Sequence, residues 1–246
     1  MKATRTTWVF QQRAIAFLDI LGFKELIREA EQQPATLLSL FGLRTAIDAH
    51  VRWDNDRVAG SVPEPVKPRY IFVSDSIILS VPLQHGHFDG LGIVVAKSIQ
   101  IAHKLLEMGY LLRGGIAVGP VWHDDGNVFG TGYICAVEAE KKSGGPRIML
   151  TEAARQHWQA STLANSPMCR MDGDALIADT LFPEYIIGTE VHGRIEDAFR
   201  QYRAWIVRRV NDLPAEGPRK KWEWLARAFD RAIVQHGVGV APIALK

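Results

Sequence analysis

The sequence predicts an α+β fold, with a central, mostly antiparallel sheet in βααββαβ order covered by helices on one face. Three observations lead there. Ala14 to Leu18 is an apolar run dense enough in large side chains to be a buried strand. Tyr70 to Pro82, YIFVSDSIILSVP, has two apolar runs flanking Ser74-Asp75-Ser76, the pattern of a tight β-hairpin. The stretches between these strands repeat apolar residues at helical spacing, and short strands separated by paired helices make a layered α+β sheet.

The elements follow in order. The first strand ends at Asp19, where the chain reaches solvent and a carboxylate needs a partner. Gly22 then gives the backbone freedom to pack around a ligand. A helix beginning near Phe23 would offer unpaired N–H groups to a phosphate, which makes Phe23 a candidate substrate-binding position. Lys24 to Gln33 is helical and stops before Pro34. Ala35 to Trp53 forms a second amphipathic helix with Leu37, Leu38, Phe41, Ile47 and Val51 inward. Asp54 to Pro68, rich in proline and poor in large apolar residues, is a surface loop. The hairpin follows, with Asp75 at its tip. Phe88 to Met108 carries Leu91, Val94, Val95, Ile101, Ala102, Leu105 and Leu106 on one helical face, and Gly109 stops it. Tyr110 to Val121 is the next strand. Arg155 to Thr189 reads as irregular, with short strands around Ala175 to Ile177 and Tyr185 to Ile187. Two helices close the sequence, one burying Ile195, Ala198, Phe199, Tyr202 and Ile206, the other Trp222, Leu225, Ala226, Phe229 and Ile233, on the core or on a partner subunit. Trp205, Trp222 and Trp224 fit these patterns as core or subunit-contact residues. The division expected is a core over residues 1–154 and an extension over 155–246, packed together as a single domain.

Composition excludes several classes of function. An apolar fraction of 47% supports a sizeable core. With a net charge of +2 and scattered basic residues there is no nucleic-acid stripe, and Arg219-Lys220-Lys221 reads as a solvated helix start. Cys135 and Cys169 are too few and too far apart for a disulfide framework or a zinc site, which points to a reducing cytoplasm. Met1 to Gln12 is polar and unlike a signal peptide, and the longest apolar runs fall short of a membrane span. A soluble protein that binds neither membrane nor nucleic acid is expected. His85, His87 and the run His123-Asp124-Asp125 lack supporting ligands and read as solvated turn residues.

Asp19 and Asp75 carry the chemistry. Two strand-end carboxylates in apolar surroundings repel each other unless a cation lies between them, which is the arrangement of a divalent metal site. Further along stand LLRGGIAVGPV at Leu111 to Val121 and GNVFGTGYICAVEAEKKSGGPRIMLTEAA at Gly126 to Ala154. Together with FLDILGF and SDS, this order of motifs resembles the class III nucleotidyl cyclase catalytic domain over Arg13 to Ala154. The resemblance implies a ferredoxin-like core and two divalent ions, Mn²⁺ or Mg²⁺, held by Asp19, Asp75 and the backbone carbonyl of Ile20. One ion would activate a ribose 3′-hydroxyl for attack on the α-phosphate, and the other would neutralise the leaving pyrophosphate. Arg113 would reach the β- and γ-phosphates, where a guanidinium fork suits a polyphosphate. Gly114, Gly115 and Gly119 would allow close strand and helix approach.

The family's base-reading positions fall at Ile71 and Asn127, with Tyr70 adjacent. Ile71 makes no side-chain hydrogen bond, while Asn127 offers both a donor and an acceptor. This departure from the purine cyclases is similar to the bacterial pyrimidine cyclases of antiphage signalling, the Pycsar type. It implies UTP as substrate, cyclic UMP as product and a downstream cyclic-nucleotide-binding effector protein; cyclic CMP or a purine cyclic nucleotide is the alternative. The family also builds each pocket from two chains, so a homodimer with shared active sites is implied. A second departure concerns the transition-state Asn and Arg of the family's helix, which align with Ile134 and Glu138, although Gly130, Ala136 and Glu140 keep the frame. Lys141, Lys142 and Arg147 are the cations that could substitute. Ile134 and Glu138 also keep open a non-catalytic nucleotide-binding module on the same fold.

Overall fold

A computed structural model describes residues 9–51, 63–186 and 192–245. Its elements are β1 (Gln11–Leu21), α1 (Phe23–Gln32), α2 (Pro34–Val51), β2 (Arg69–Val73), β3 (Ser76–Pro82), β4 (Gln84–His85), β5 (Phe88–Asp89) and α3 (Gly90–Glu107), then β6 (Leu111–His123), β7 (Val128–Phe129), α4 (Thr131–Lys142), β8 (Ile148–Leu150), α5 (Glu152–Ala160), β9 (Cys169–Asp172), β10 (Ala175–Ala178), α6 (His192–Asp212) and α7 (Glu216–Gln235). The main sheet runs in the order β2-β3-β1-β6-β8-β10-β9. Its pairings are antiparallel except β6 with β8. This is the α+β architecture expected.

Alternation along β1 assigns its two faces. Ala14, Ala16, Leu18 and Ile20 enter the main core with Leu26 of α1, Leu43 of α2, Val94 of α3 and Trp158 of α5. Ile15 points the other way and packs with Ile78, Ala117, Val121 and Ala136 of α4. The expectation of helices on one face is therefore corrected, because α4 covers part of the second. Glycine makes this possible: a Cβ on Gly115 would lie 2.1 Å from the Ala136 carbonyl oxygen, so only a residue without one lets α4 rest directly on β6.

The C-terminal helices bury the predicted faces. Phe199, Tyr202 and Ile206 of α6 and Trp222, Leu225, Ala226, Phe229 and Ile233 of α7 form one cluster with Leu106 and Leu111 of this same chain. Other expectations change. In α2, Leu37, Leu38 and Phe41 are 45%, 72% and 63% exposed, and Leu43 and Ile47 are the buried pair. The helix is apolar on nearly every side, so the spacing of its large residues did not define its inner face. Arg155 to Ala160 belongs to α5, whose start is capped by Thr151 Oγ1 accepting from the Ala154 N–H. Tyr185, where a short strand was expected to begin, instead closes the 3₁₀ turn Pro183–Tyr185, which Pro183 starts with its fixed φ. Trp53, Ile187 and the first part of the Asp54 to Pro68 loop, through residue 62, lie outside the described residues, as does the side chain of Val51. Among the described residues no helix is long and apolar enough to cross a membrane.

Candidate active site

Backbone register brings three of the predicted residues together. Asp19 pairs with Ser76 of β3 on one side and Arg113 of β6 on the other. The hairpin turns over Ser74 and Asp75, with Ser74 at φ +56°. The Ile20 N–H donates to the Asp75 carbonyl at 3.0 Å, which ties the hairpin tip to β1 beside Asp19. A strand residue directs its N–H and C=O to the same side, so the Ile20 carbonyl faces the hairpin as well. Gly22, at φ +87°, makes the bend into α1 that a side-chain-bearing residue would resist. Phe23 is buried in the core, so any part it takes in binding is through its backbone N–H at the helix start.

Charge at this end is unbalanced. Arg113 Nε donates to Asp19 Oδ2 at 2.7 Å and lies 2.6 Å from Glu140 Oε1 of α4. A guanidinium Nε carries one hydrogen, and here it goes to Asp19. Glu140 Oε1 is accordingly buried without a hydrogen bond. Burial raises the Asp19 pKa above the ordinary carboxylate value, Arg113 opposes the rise and the Asp75 carboxylate adds to it. Glu140 is raised in the same way, by burial first and by Asp19, against the pull of Arg113. Asp19 and Glu140 thus share one guanidinium, with Asp75 beside Asp19, and full ionisation leaves a local excess of negative charge.

Such a donor set suits a hard divalent cation, since carboxylate and carbonyl oxygens are the ligands of Mg²⁺ and Mn²⁺. Among the described residues no group of three Asp, Glu, His or Cys side chains converges as a closed metal cage. Asp19 and Asp75 would need the Ile20 carbonyl and oxygens of a ligand to complete a shell. An open site of that kind is the one in which a metal can meet a substrate.

The remaining predicted positions lie elsewhere. Tyr70 and Ile71 face Leu79 and Ile78 across the hairpin and are half-buried, with Tyr70 packed on the main core. Asn127 is exposed in the β6–β7 turn, where its N–H donates to Asp124 Oδ1 at 2.7 Å. Arg113 and His123 stand ten residues apart on β6, about 33 Å at strand rise, so one chain does not bring Asn127 to Arg113. On α4, Ile134 is 54% exposed and Glu138 is exposed too. Of the cations that could substitute for the family's arginine, Arg147 is engaged by Asp172 at 3.0 Å and by the Ser143 carbonyl, while Lys141 and Lys142 are exposed at the end of α4. Sequence reading kept Glu140 only as part of the motif frame and missed its contact with Arg113. The signal was a glutamate following Ala136 and Ala139 on the inner face of a helix. His123, expected in a solvated turn, is buried, because β6 continues through it and pairs it with Val128.

No family model matches the chain, and no curated protein matches it. Solved structures do. An adenylate/guanylate cyclase/hydrolase from Silicibacter pomeroyi is similar at 18% identity and a TM-score of 0.45, over 69% of this chain and 94% of that one. A non-canonical dimeric guanylyl cyclase domain of the RhoGC fusion protein from the aquatic fungus Blastocladiella emersonii is similar at 14% identity and a TM-score of 0.46, over 69% and 93%. A class III adenylyl cyclase-like ATP-binding protein from Pseudomonas aeruginosa is similar at 16% identity and a TM-score of 0.40, over 60% and 34%.

Proposed function

We propose that this protein is a metal-dependent nucleotidyl cyclase that converts UTP to 3′,5′-cyclic UMP and pyrophosphate. The observation that carries the reading is the meeting of Asp19, Asp75 and Arg113 at one end of three adjacent strands, with more carboxylate than the guanidinium can neutralise. Asp19, Asp75 and the Ile20 carbonyl would hold two Mn²⁺ or Mg²⁺ ions. Bound there, such ions supply Lewis acidity to a ribose 3′-hydroxyl and countercharge to the leaving pyrophosphate. Arg113 serves the substrate end. Its side chain is one-third exposed, so the outer edge of the guanidinium is open to a triphosphate while Nε stays anchored on Asp19. The start of α1 at Phe23 adds backbone N–H groups on the same side of β1.

Selection of a pyrimidine rests on Tyr70, Ile71 and Asn127. Ile71 offers a purine edge no hydrogen bond, and Asn127 can both donate and accept. UTP leads, with CTP or a purine triphosphate as the alternative. Because Asn127 and Arg113 stand about 33 Å apart in one chain, a complete pocket calls for a second copy. A two-fold symmetric homodimer with two shared pockets supplies it. The biological role that goes with cyclic UMP is a cytoplasmic second messenger in antiphage defence, read by a cyclic-nucleotide-binding effector. The test is incubation with each of the four ribonucleoside triphosphates and Mn²⁺, with cyclic product followed by mass spectrometry. Cyclic UMP is expected from UTP, and product from none of the four removes the reading.

Ile134 and Glu138 favour a second reading, a nucleotide-binding module that does not turn over. Loss of a preorganised transition-state donor costs on the order of a hundredfold or more in rate. Tight UTP binding without pyrophosphate release would select this second reading.

A further inference from the structure

At the end of β1 remote from Asp19 lies a cluster that the proposed chemistry does not use. Arg13 of β1, Arg69 of β2, Ser80 of β3 and His123 of β6 meet there. Arg13 is 4% exposed. Its Nε donates to Ser80 Oγ at 2.9 Å, Nη1 to Gln11 Oε1 at 2.9 Å and Nη2 to the Ser80 carbonyl at 3.1 Å. Arg69 Nη1 donates to the His123 carbonyl. Among the described residues neither guanidinium is in ion-pair contact with a carboxylate. A guanidinium taken out of water with only neutral acceptors is costly, and a second one beside it raises the cost. Burial and Arg69 together lower the Arg13 pKa to about 10, which leaves it charged at neutral pH.

The histidine adds a donor to this cluster. Ser80 Oγ accepts from Arg13 and lies 2.7 Å from His123 Nδ1. The assignment that also pairs the serine proton has Ser80 O–H donating to Nδ1, which leaves the ring proton on Nε2. His123 is neutral at pH 7, its pKa lowered to about 4 by burial and by the two arginines, against a smaller pull from Asp124. Nε2 is buried and has no hydrogen-bond partner. An orphaned buried donor is destabilising, because it has lost its water without gaining a partner. Spare N–H groups on two guanidiniums and one imidazole therefore meet with few acceptors to receive them.

A groove of about 920 Å³ opens beside the cluster, lined by Arg13, Arg69, Lys67 and Gln84, and it adjoins the proposed base-selecting end through Tyr70, which also lines it. Asp124 and Asp125 also line it, but Asp124 Oδ1 is taken by the N–H groups of Gly126 and Asn127 at 2.9 and 2.7 Å. The volume is that of a small-molecule site. Arg13 stands six residues from Asp19 on β1, about 20 Å, so this is not the triphosphate position of the same chain.

We infer that this groove is a second ligand site, which binds the phosphate of a small phosphorylated molecule through Arg13 and Arg69. A phosphate monoester at neutral pH is mostly a dianion rich in acceptor oxygens. Its charge of up to two matches, better than a carboxylate ligand does, two guanidiniums that contact no carboxylate among the described residues. The inference does not rest on cyclase activity.

It is tested by calorimetric titration of the full chain with inorganic phosphate, pyrophosphate and acetate, in the absence of divalent cations. Saturable phosphate binding is expected, weakened at least about tenfold in Arg69→Gln by loss of a charge-assisted contact and retained in Arg113→Ala. The ¹⁵N resonances of the His123 ring should move with the same midpoint. Absence of saturable phosphate binding, or binding unchanged in Arg69→Gln and lost in Arg113→Ala, overturns the site. Acetate binding as tight as phosphate overturns the ligand class. Arg13→Gln repeats the test from the buried side; should it fail to fold, Arg69→Gln decides alone, since Arg69 is exposed on an edge strand.

Discussion

The two ends of one sheet face make opposite electrostatic choices. At one end Asp19 and Glu140 flank Arg113 and Asp75 lies beside Asp19, with acceptors in excess. At the other, Arg13, Arg69 and the Nε2 proton of His123 gather with donors in excess. The same strands, β1, β3 and β6, build both. The backbone ladder satisfies its own hydrogen bonds whatever side chains it carries, so residues at the strand ends are free to specialise. The proposed ligands have the opposite character at each end, a cation at the first and an oxyanion at the second.

The sharpest way to break this contrast is to remove the acids. Asp19→Ala and Asp75→Ala should each lower cyclase turnover on the order of a thousandfold, the weight of several kcal/mol of metal-held charge, with an unchanged circular-dichroism spectrum. Folded variants with near-normal rates would take the metal away from this end. Arg113→Ala comes next. Losing charge-assisted phosphate contacts should cost about tenfold to a hundredfold in kcat/KM, mostly through KM. An unchanged KM and rate would reduce Arg113 to a counter-ion for Asp19 and Glu140.

A mixing experiment asks whether the acidic end works with the base-reading positions of a partner. A chain carrying Asp19→Ala and Asp75→Ala is combined with one altered at Tyr70 and Asn127, each inactive alone. Shared pockets predict partial recovery of activity in the mixed dimer; no recovery after demonstrated subunit exchange removes the shared pocket.

The smallest effect, a few degrees in Tm, separates the two ends by pH. Asp19 and Glu140 have raised folded-state pKa values, so their contribution is full below the unfolded carboxylate value and is lost as pH rises through the folded one. His123 is lowered to about 4 from 6.5, so its contribution is present above 6.5 and is lost as pH falls toward 4. Without divalent ions, Asp19→Asn should gain stability relative to the parent as pH rises from about 5 to 8. His123→Gln should gain relative to it as pH falls below about 6. Parallel Tm curves for parent and variants would refute both assignments.

The acidic end was legible in the sequence and the basic end was not, for a physical reason. Asp19 and Asp75 interrupt apolar runs, and a charge between large apolar side chains stands out without any knowledge of neighbours. Arg13 stands just before the apolar run Ala14 to Leu18 and His123 precedes two aspartates, positions where solvated side chains are ordinary. Only the cross-strand register that sets Ser80 between them reveals their burial. The fold divides similarly. α6 and α7 show one apolar face each and were read with it, and α3 buries every residue assigned inward, whereas in α2, apolar on nearly every side, Ile47 is buried as expected but Leu37, Leu38 and Phe41 are exposed. Thr151-Glu152-Ala153-Ala154 was a readable start for α5, passed over because the sequence after it lacked a strong apolar period.

The hydrogen bond between Asp19 and Arg113 spans 94 positions of the chain. A ribosome adding roughly 5–20 residues per second leaves β1 without β6 for about 5 to 20 seconds. During that interval an apolar strand destined for the middle of a sheet has an unpaired edge, an invitation to self-association that a chaperone would blunt. Yield of folded protein should therefore depend on elongation rate and chaperone supply more than on the stability of the finished molecule, and slowing aggregation by cooling the expression host is the corresponding remedy.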